Sequence, residues 1–207
     1  MIIFDLDHTL FQTNLLKQDI ASVFIQHGES EVDFWKTFYD SYTSPFGGTN
    51  GYYSIDRHLL LGNYRSMVEK KRLKRQLIDV IHQRGSGYLF DDVLVTLQAL
   101  RVGGHRLVLL SKGDEELQHL TVVVTGIESY FHTIHFVRKD KRPIFKKIIS
   151  EQDATINVND HHNELRWAKQ IAPTVKNIYI QRSPDFDTDL DDVAIVIKRL
   201  SELREQV

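Results

Sequence analysis

The chain opens on three consecutive apolar residues, Ile2-Ile3-Phe4, which give way at once to Asp5-Leu6-Asp7-His8-Thr9. An apolar run this short, stopped by acids, reads as a strand buried on both faces, the kind found in parallel sheets. From there to about residue 83 no second buried strand is visible. Ile20, Val23 and Phe24, then Phe34, Trp35, Phe38 and Tyr39, recur at helical spacing. The spacing resumes at Ile55 and continues through Leu59, Leu60 and Met67 to Leu73, Leu77, Ile78 and Ile81. Between these runs, residues 41–54 carry Pro45, Gly47, Gly48 and Gly51 and read as a break.

Gly85-Ser86-Gly87 closes the helical stretch, and strands then alternate with helices. Asp91 or Asp92 is placed to cap a helix carrying Val93, Leu94, Leu97 and Leu100, which Gly103-Gly104 ends. Strands are expected at 106–110, 132–137, 155–158 and 177–180. Helices fall between them at 115–124, 143–149 and 163–171, and a last helix at 190–203. This alternation predicts an α/β fold, a doubly wound, Rossmann-like parallel sheet. Its core is discontinuous, residues 1–13 and 88–207, with residues 14–87 inserted after the first strand as a helical cap.

Composition narrows the chemistry. The 207 residues are 42% hydrophobic, enough for a sizeable core, and Lys+Arg of 26 against Asp+Glu of 28 leaves a net charge of −2. No global field calls for nucleic acid or an anionic membrane. The absence of cysteine excludes disulfides, thiolate nucleophiles and Cys-based metal centres. No apolar run approaches the ~20 residues that span a bilayer, so the expectation is a cytoplasmic protein without a membrane partner. Oligomeric state is not readable.

A parallel sheet presents the carboxyl ends of its strands on one edge, where ligands of open α/β sheets bind. The first strand ends in Asp5 and Asp7, with Thr9 following. The second ends in Ser111-Lys112-Gly113-Asp114, a hydroxyl and a glycine turn leading into a helix N-terminus suited to an anion. Arg138-Lys139-Asp140-Lys141 follows the third, and the fourth ends at Asn159-Asp160 with Glu164 four residues on. Asp-x-Asp-x-Thr by itself also suits a helix cap. Carboxylates, an anion cradle and lysines at four successive strand ends instead suit a phosphoryl group and a divalent cation, and an all-oxygen donor set favours Mg²⁺.

These four stretches, in this order and with a helical insertion after the first, resemble the haloacid dehalogenase-like (HAD) hydrolase superfamily. Asp5, Asp7 and Thr9 match its first motif, Ser111 its second, a lysine its third, and Asp160 with Glu164 its acidic fourth. The insertion resembles its C1 cap. The resemblance implies Asp5 as nucleophile forming an aspartyl phosphate and Asp7 as the acid and base. Ser111, Lys112, Thr9 and a lysine would lie against the substrate's phosphoryl group. Mg²⁺ would be held by Asp5, the Asp7 carbonyl and Asp160, with Glu164 behind. Lys139 is the expected lysine, because it precedes Phe145 by six residues as in many relatives; Lys141 is its competitor. Dehalogenases of this group lack the second aspartate and the metal, so Asp7 favours a phosphatase acting on a small phosphorylated metabolite such as a nucleotide or sugar phosphate. A phosphotransferase or phosphomutase, or a non-catalytic binding protein on the same scaffold, are the alternatives. Two departures stand out: His8 replaces a frequent glycine, and Asn159 replaces another, which is expected to shift the loop bearing Asp160.

Other features carry less. Lys70-Lys71-Arg72-Leu73-Lys74-Arg75 reads as the wet face of a helix with Leu73 inward. Asp185, Asp187 and Asp189 imitate a calcium loop, but Leu190 stands where its glycine belongs. His161-His162 point apart on a helix start. Substrate choice is expected from the cap, where Tyr42, Phe46, Asn50, Tyr52, Tyr53 and Arg57 surround the break.

Overall fold

The computed structural model describes residues 1–42, 51–62, 64, 66–151, 155–182, 190 and 192–207. Phe46 and Asn50 of the cap, and Asp185, Asp187 and Asp189, lie outside them. Six parallel strands form one sheet in the order β3-β2-β1-β4-β5-β6. They are β1 (Ile2–Phe4), β2 (Leu107–Lys112), β3 (Thr133–Val137), β4 (Ile156–Asn159), β5 (Lys176–Ile180) and β6 (Ile195–Ile197). β1 is central because all three of its residues are apolar and can be buried on either face. Phe4 stands opposite Leu109 of β2 and Val158 of β4. The chain winds outward from β1 in both directions, which makes its carboxyl end the switch point where α/β sheets bind ligands.

Alternation along the strands separates two apolar layers. Ile3, Val108 and Leu110 face Phe145 and Ile148 of α7 (Arg142–Ser150) and Ala168 of α8 (His162–Ile171). Ile2, Phe4, Leu107 and Leu109 face the other layer, with α5 (Val93–Val102) and α6 (Glu115–Thr125). That second layer continues without interruption into the helices inserted after β1: α1 (Thr13–Gln26), α2 (Glu31–Asp40), α3 (Ile55–Leu61) and α4 (Met67–Arg84). Ser30 and Ser66 cap α2 and α4 by accepting from Asp33 N and Glu69 N. Asp19 of α1 accepts from Arg84 at 2.6 and 2.8 Å and from the Tyr88 hydroxyl at 2.6 Å, clasping the two ends of the insertion together. Lys70 to Arg75 run along the outer face of α4 while Leu73 and Leu77 are buried, as the pattern indicated. No described helix is long and apolar enough to cross a membrane.

Three expectations are corrected. The stretch 190–203 is not a helix: Ile195–Ile197 pairs with β5 as the sixth strand, and a short 3₁₀ helix, Leu200–Glu205, follows. The β-branched run Ile195-Val196-Ile197 prefers an extended backbone, and Leu200 and Leu203 bury the three-residue period of a 3₁₀ turn. Strand β2 extends through Ser111 to Lys112 rather than stopping at 110. Asp92 does not cap α5; its carboxylate takes the Arg182 guanidinium at 2.9 Å and the Leu200 N–H at 2.6 Å instead.

The helical insertion buries His58 between aromatic rings. It stacks on Phe24 at 4.1 Å between centroids, its Nδ1 lies 3.0 Å from the Tyr53 hydroxyl, and Glu29 is 4.0 Å from Nε2. Burial pulls the imidazole from 6.5 down to about 4. The folded state therefore binds fewer protons here than the unfolded state below about pH 6.5, and stability is lost as pH falls toward 4. Between roughly pH 7 and pH 5 this costs about 2 kcal/mol. Thermal melts should show the wild type losing more stability over that window than His58→Phe. Burial also raises the Glu29 carboxyl, so a Glu29→Gln background should keep the difference between the two profiles. Parallel pH profiles would refute the assignment.

Candidate active site

Register brings the candidate residues together. Asp5 leaves β1 beside β4, its N–H donating to Val158 O at 3.1 Å. Its carboxylate is buried, and Oδ1 accepts from Leu6 N and from Lys141 Nζ, each at 2.8 Å. Lys141 Nζ also donates to Glu164 Oε2 at 2.8 Å, so one ammonium, 5% exposed, is shared by two carboxylates. The lysine expectation is thereby corrected: Lys141 reaches Asp5, whereas Lys139 is exposed. Residue 141 is the N-cap of α7 and is buried, while residue 139 lies exposed on the loop before it. Spacing to Phe145 could not separate the two, because Phe145 packs into the core and says nothing about which lysine turns inward.

Burial raises the Asp5 carboxyl to about 8, with Lys141 opposing the shift and Glu164 and Asp160 adding to it. Burial also works against the Lys141 charge, but Asp5 and Glu164 outweigh it and hold the ammonium protonated. Asp160 is raised by burial too, against the pull of His8 and Thr9. Carboxyl groups are in excess: Asp5, Asp160 and Glu164 gather around a single buried ammonium, and their raised values reflect how little positive charge they share. Asp5 and Asp160, on neighbouring strands, suit a divalent cation that takes few carboxylates and keeps several waters.

The loop after β1 is a tight turn. Leu6 O accepts from Thr9, Leu10 and Phe11 N–H, and His8 takes a left-handed φ of 56°. Glycine is free there, whereas a histidine carries a cost of about 1–2 kcal/mol. Thr9 is fully buried and donates to Asp160 Oδ1 at 3.1 Å, so it holds a candidate ligand in place. Arg182, lying 4.1 Å over the Phe90 ring, donates to Thr9 O at 3.2 Å and pairs with Asp92, bracing the turn from behind. Sequence reasoning missed Arg182; a lone arginine after a strand gives no signal.

Asn159 is tied into the site by its side chain. Its amide donates to Glu164 Oε2 at 2.8 Å and its carbonyl accepts from His161 N at 2.7 Å, tying β4 to the start of α8. The turn after β2 is less of an anion cradle than expected. Gly113 N–H is spent on Val137 O at 3.0 Å, and the Asp114 carboxylate caps α6 by accepting from Leu117 N.

Asp7 lies outward from Asp5. Its two oxygens accept from Thr13 Oγ1 at 2.7 Å and from Gln118 Nε2 at 2.9 Å. It opens on a cleft of about 420 Å³ between the inserted helices and the sheet edge, lined also by Lys112, Tyr42, Tyr52 and Tyr53. Lys112 Nζ reaches Gly51 across this cleft: a Cβ on Gly51 would meet it at 2.9 Å. Tyr53 is mostly committed to packing, stacked on Phe38 at 4.4 Å, and Arg57 covers the Tyr52 ring at 4.6 Å.

Removing Lys141 leaves Asp5 and Glu164 without their ammonium. Lys141→Met should cost about 3 kcal/mol in denaturant unfolding, the scale for breaking a buried ion pair. Lys139→Met, on the surface, should stay within about 0.5 kcal/mol. Equal effects would overturn this placement.

Known proteins share this fold. The family model for haloacid dehalogenase-like hydrolases matches residues 2–176. A search of curated proteins gave no match. Among solved structures, a protein from Burkholderia xenovorans LB400 assigned as a haloacid dehalogenase-like hydrolase aligns over 99% of this chain and 94% of its own, with a TM-score of 0.74 at 15% identity. A HAD phosphatase from Thermococcus onnurineus aligns over 99% and 96%, TM-score 0.64 at 19% identity. The L-2-haloacid dehalogenase from Xanthobacter autotrophicus, with chloropropionic acid covalently bound, aligns over 99% and 96%, TM-score 0.62 at 11% identity. At these identities the structures speak for the fold, and the match over residues 2–176 speaks for descent: the chain belongs to the haloacid dehalogenase-like hydrolases.

Proposed function

We propose that this hydrolase is a Mg²⁺-dependent phosphatase that removes the phosphoryl group of a small phosphomonoester through an aspartyl phosphate on Asp5. One observation carries the reading: two aspartates, two residues apart, lie in opposite environments. Asp5 is buried against Lys141, while Asp7 faces the cleft between hydrogen-bond donors. A carboxylate nucleophile needs a fixed position, which Lys141 and the Leu6 N–H supply. An acid and base must reach the leaving oxygen, and then water, from the solvent side, where Asp7 stands. A dehalogenase would have no use for that second carboxylate.

In this scheme an Asp5 oxygen bonds to phosphorus as the ester bond breaks, and Asp7 protonates the departing oxygen. Asp7 then takes a proton from the water that attacks the aspartyl phosphate, which releases phosphate and restores Asp5. Ser111 and Lys141 lie against the phosphoryl oxygens. Asp5, the Asp7 carbonyl and Asp160 would hold Mg²⁺, which supplies positive charge for the phosphoryl group when bound. Lys112 and the tyrosines of the cleft would meet the rest of the substrate, a small phosphorylated metabolite such as a sugar phosphate or nucleotide.

With an aryl phosphate and Mg²⁺, Asp5→Asn should lower hydrolysis by about 10³-fold or more while the fold is retained. Chelation should silence the wild type, and added Mg²⁺ should restore it. Full activity in folded Asp5→Asn would sink the nucleophile. Phosphoryl transfer to an added sugar in place of phosphate release would reassign the acceptor.

A further inference from the structure

Gln118 of α6 is 7% exposed and lies at neither end of any motif, yet both ends of its amide are engaged in the site. Nε2 donates to Asp7 Oδ2 at 2.9 Å, and Oε1 accepts from Ser111 Oγ at 2.9 Å. Chemistry dictates this orientation. An ionised carboxylate only accepts, so the NH₂ group must face Asp7, and the carbonyl then leaves Ser111 as the donor. The contact is built into the backbone as well. A Cβ on Gly113 would come within 2.5–2.9 Å of the Gln118 side chain, so residue 113 must be glycine for the amide to lie where it does.

The arrangement has a consequence for the phosphatase reading, on which this inference rests. A serine hydroxyl has one proton, and in this structure Ser111 gives it to Gln118. A phosphoryl oxygen at Ser111 needs the same proton. We propose that Gln118 is a positioning residue with two opposed effects. It aims the Asp7 carboxylate for proton transfer, and it holds the Ser111 proton until a phosphoryl oxygen competes for it. Occupation of the phosphoryl position thus breaks one of the two Gln118 bonds and is felt at Asp7 through the other.

Met has nearly the shape of Gln and no hydrogen-bonding ends. In Gln118→Met the Ser111 proton is free and Asp7 loses one of its two donors. With an aryl phosphate, kcat should fall about three- to tenfold, while KM and the inhibition constant of inorganic phosphate fall about two- to fivefold, the scale of one neutral hydrogen bond. Gln118→Glu keeps an acceptor for Ser111 but sets a second carboxylate against Asp7, so kcat should fall further while phosphate binds more weakly. A side chain that only fills space would instead lower the melting temperature without this opposite movement of kcat and KM. In Gln118→Met, unchanged kinetics, or kcat falling with KM raised, would overturn the proposal. A second readout does not depend on turnover: the Gln118 side-chain amide resonances should shift in folded Ser111→Ala and in folded Asp7→Asn, and on adding inorganic phosphate with Mg²⁺ to the wild type. Resonances indifferent to both substitutions would overturn the geometry, and indifference to phosphate alone would overturn the competition at Ser111. Shifts in a wild type that hydrolyses no phosphomonoester would leave Gln118 in place and overturn the phosphatase reading instead.

Discussion

The site depends on one buried ammonium. Lys141 comes from the start of α7, Asp5 from the end of β1 and Glu164 from the first turn of α8, so three separate crossovers must close before the charges meet. Burying any of these groups alone would cost several kcal/mol, and together they offset one another only in part. Asp160 adds further negative charge nearby. Such an arrangement is a poor way to stabilise a fold and a good way to hold a site ready for positive charge.

Around that centre the braces are mostly neutral or distant. Thr9 holds Asp160, Arg182 holds the Thr9 carbonyl, and Asp92 holds Arg182 together with the Leu200 N–H at the chain's last turn. The turn that includes left-handed His8 is thus fixed from the start of α5 and from the segments after β5 and β6. These bonds over-determine the turn, so the left-handed backbone at His8 is held despite its cost of about 1–2 kcal/mol.

Much of this was legible in the chain. The Ile2-Ile3-Phe4 run, the later strand–helix alternation and the carboxylates at strand ends all express local rules, period and punctuation, that survive folding. What escaped was decided by tertiary context. Ile195-Val196-Ile197 falls inside the stretch expected as a last helix, but β5 offers it an edge. Lys139 and Lys141 differ by two residues, and only the phase of α7 turns one inward. Asp92 sits where a cap belongs, but Arg182, 90 residues later, claims its carboxylate. Gln118 left no trace because one amide on a helix is ordinary; its importance comes from lying beneath Gly113.

The same reasoning explains why Asp5 and Asp7 are able to divide their labour. Neighbours two apart on an extended backbone share a strand end, and only their surroundings distinguish them. Asp5 turns into the layer where Lys141 and Glu164 wait. Asp7 turns to the cleft and is gripped from two sides, by Thr13, the first residue of α1, and by Gln118 of α6. One donor belongs to the helices inserted after β1 and the other to the sheet's own covering layer. Asp7 is therefore where the two halves of the cleft meet, and any shift of α1 against α6 must lengthen one of its two hydrogen bonds. The carboxylate assigned to move protons is the one whose aim depends on how the cleft is closed.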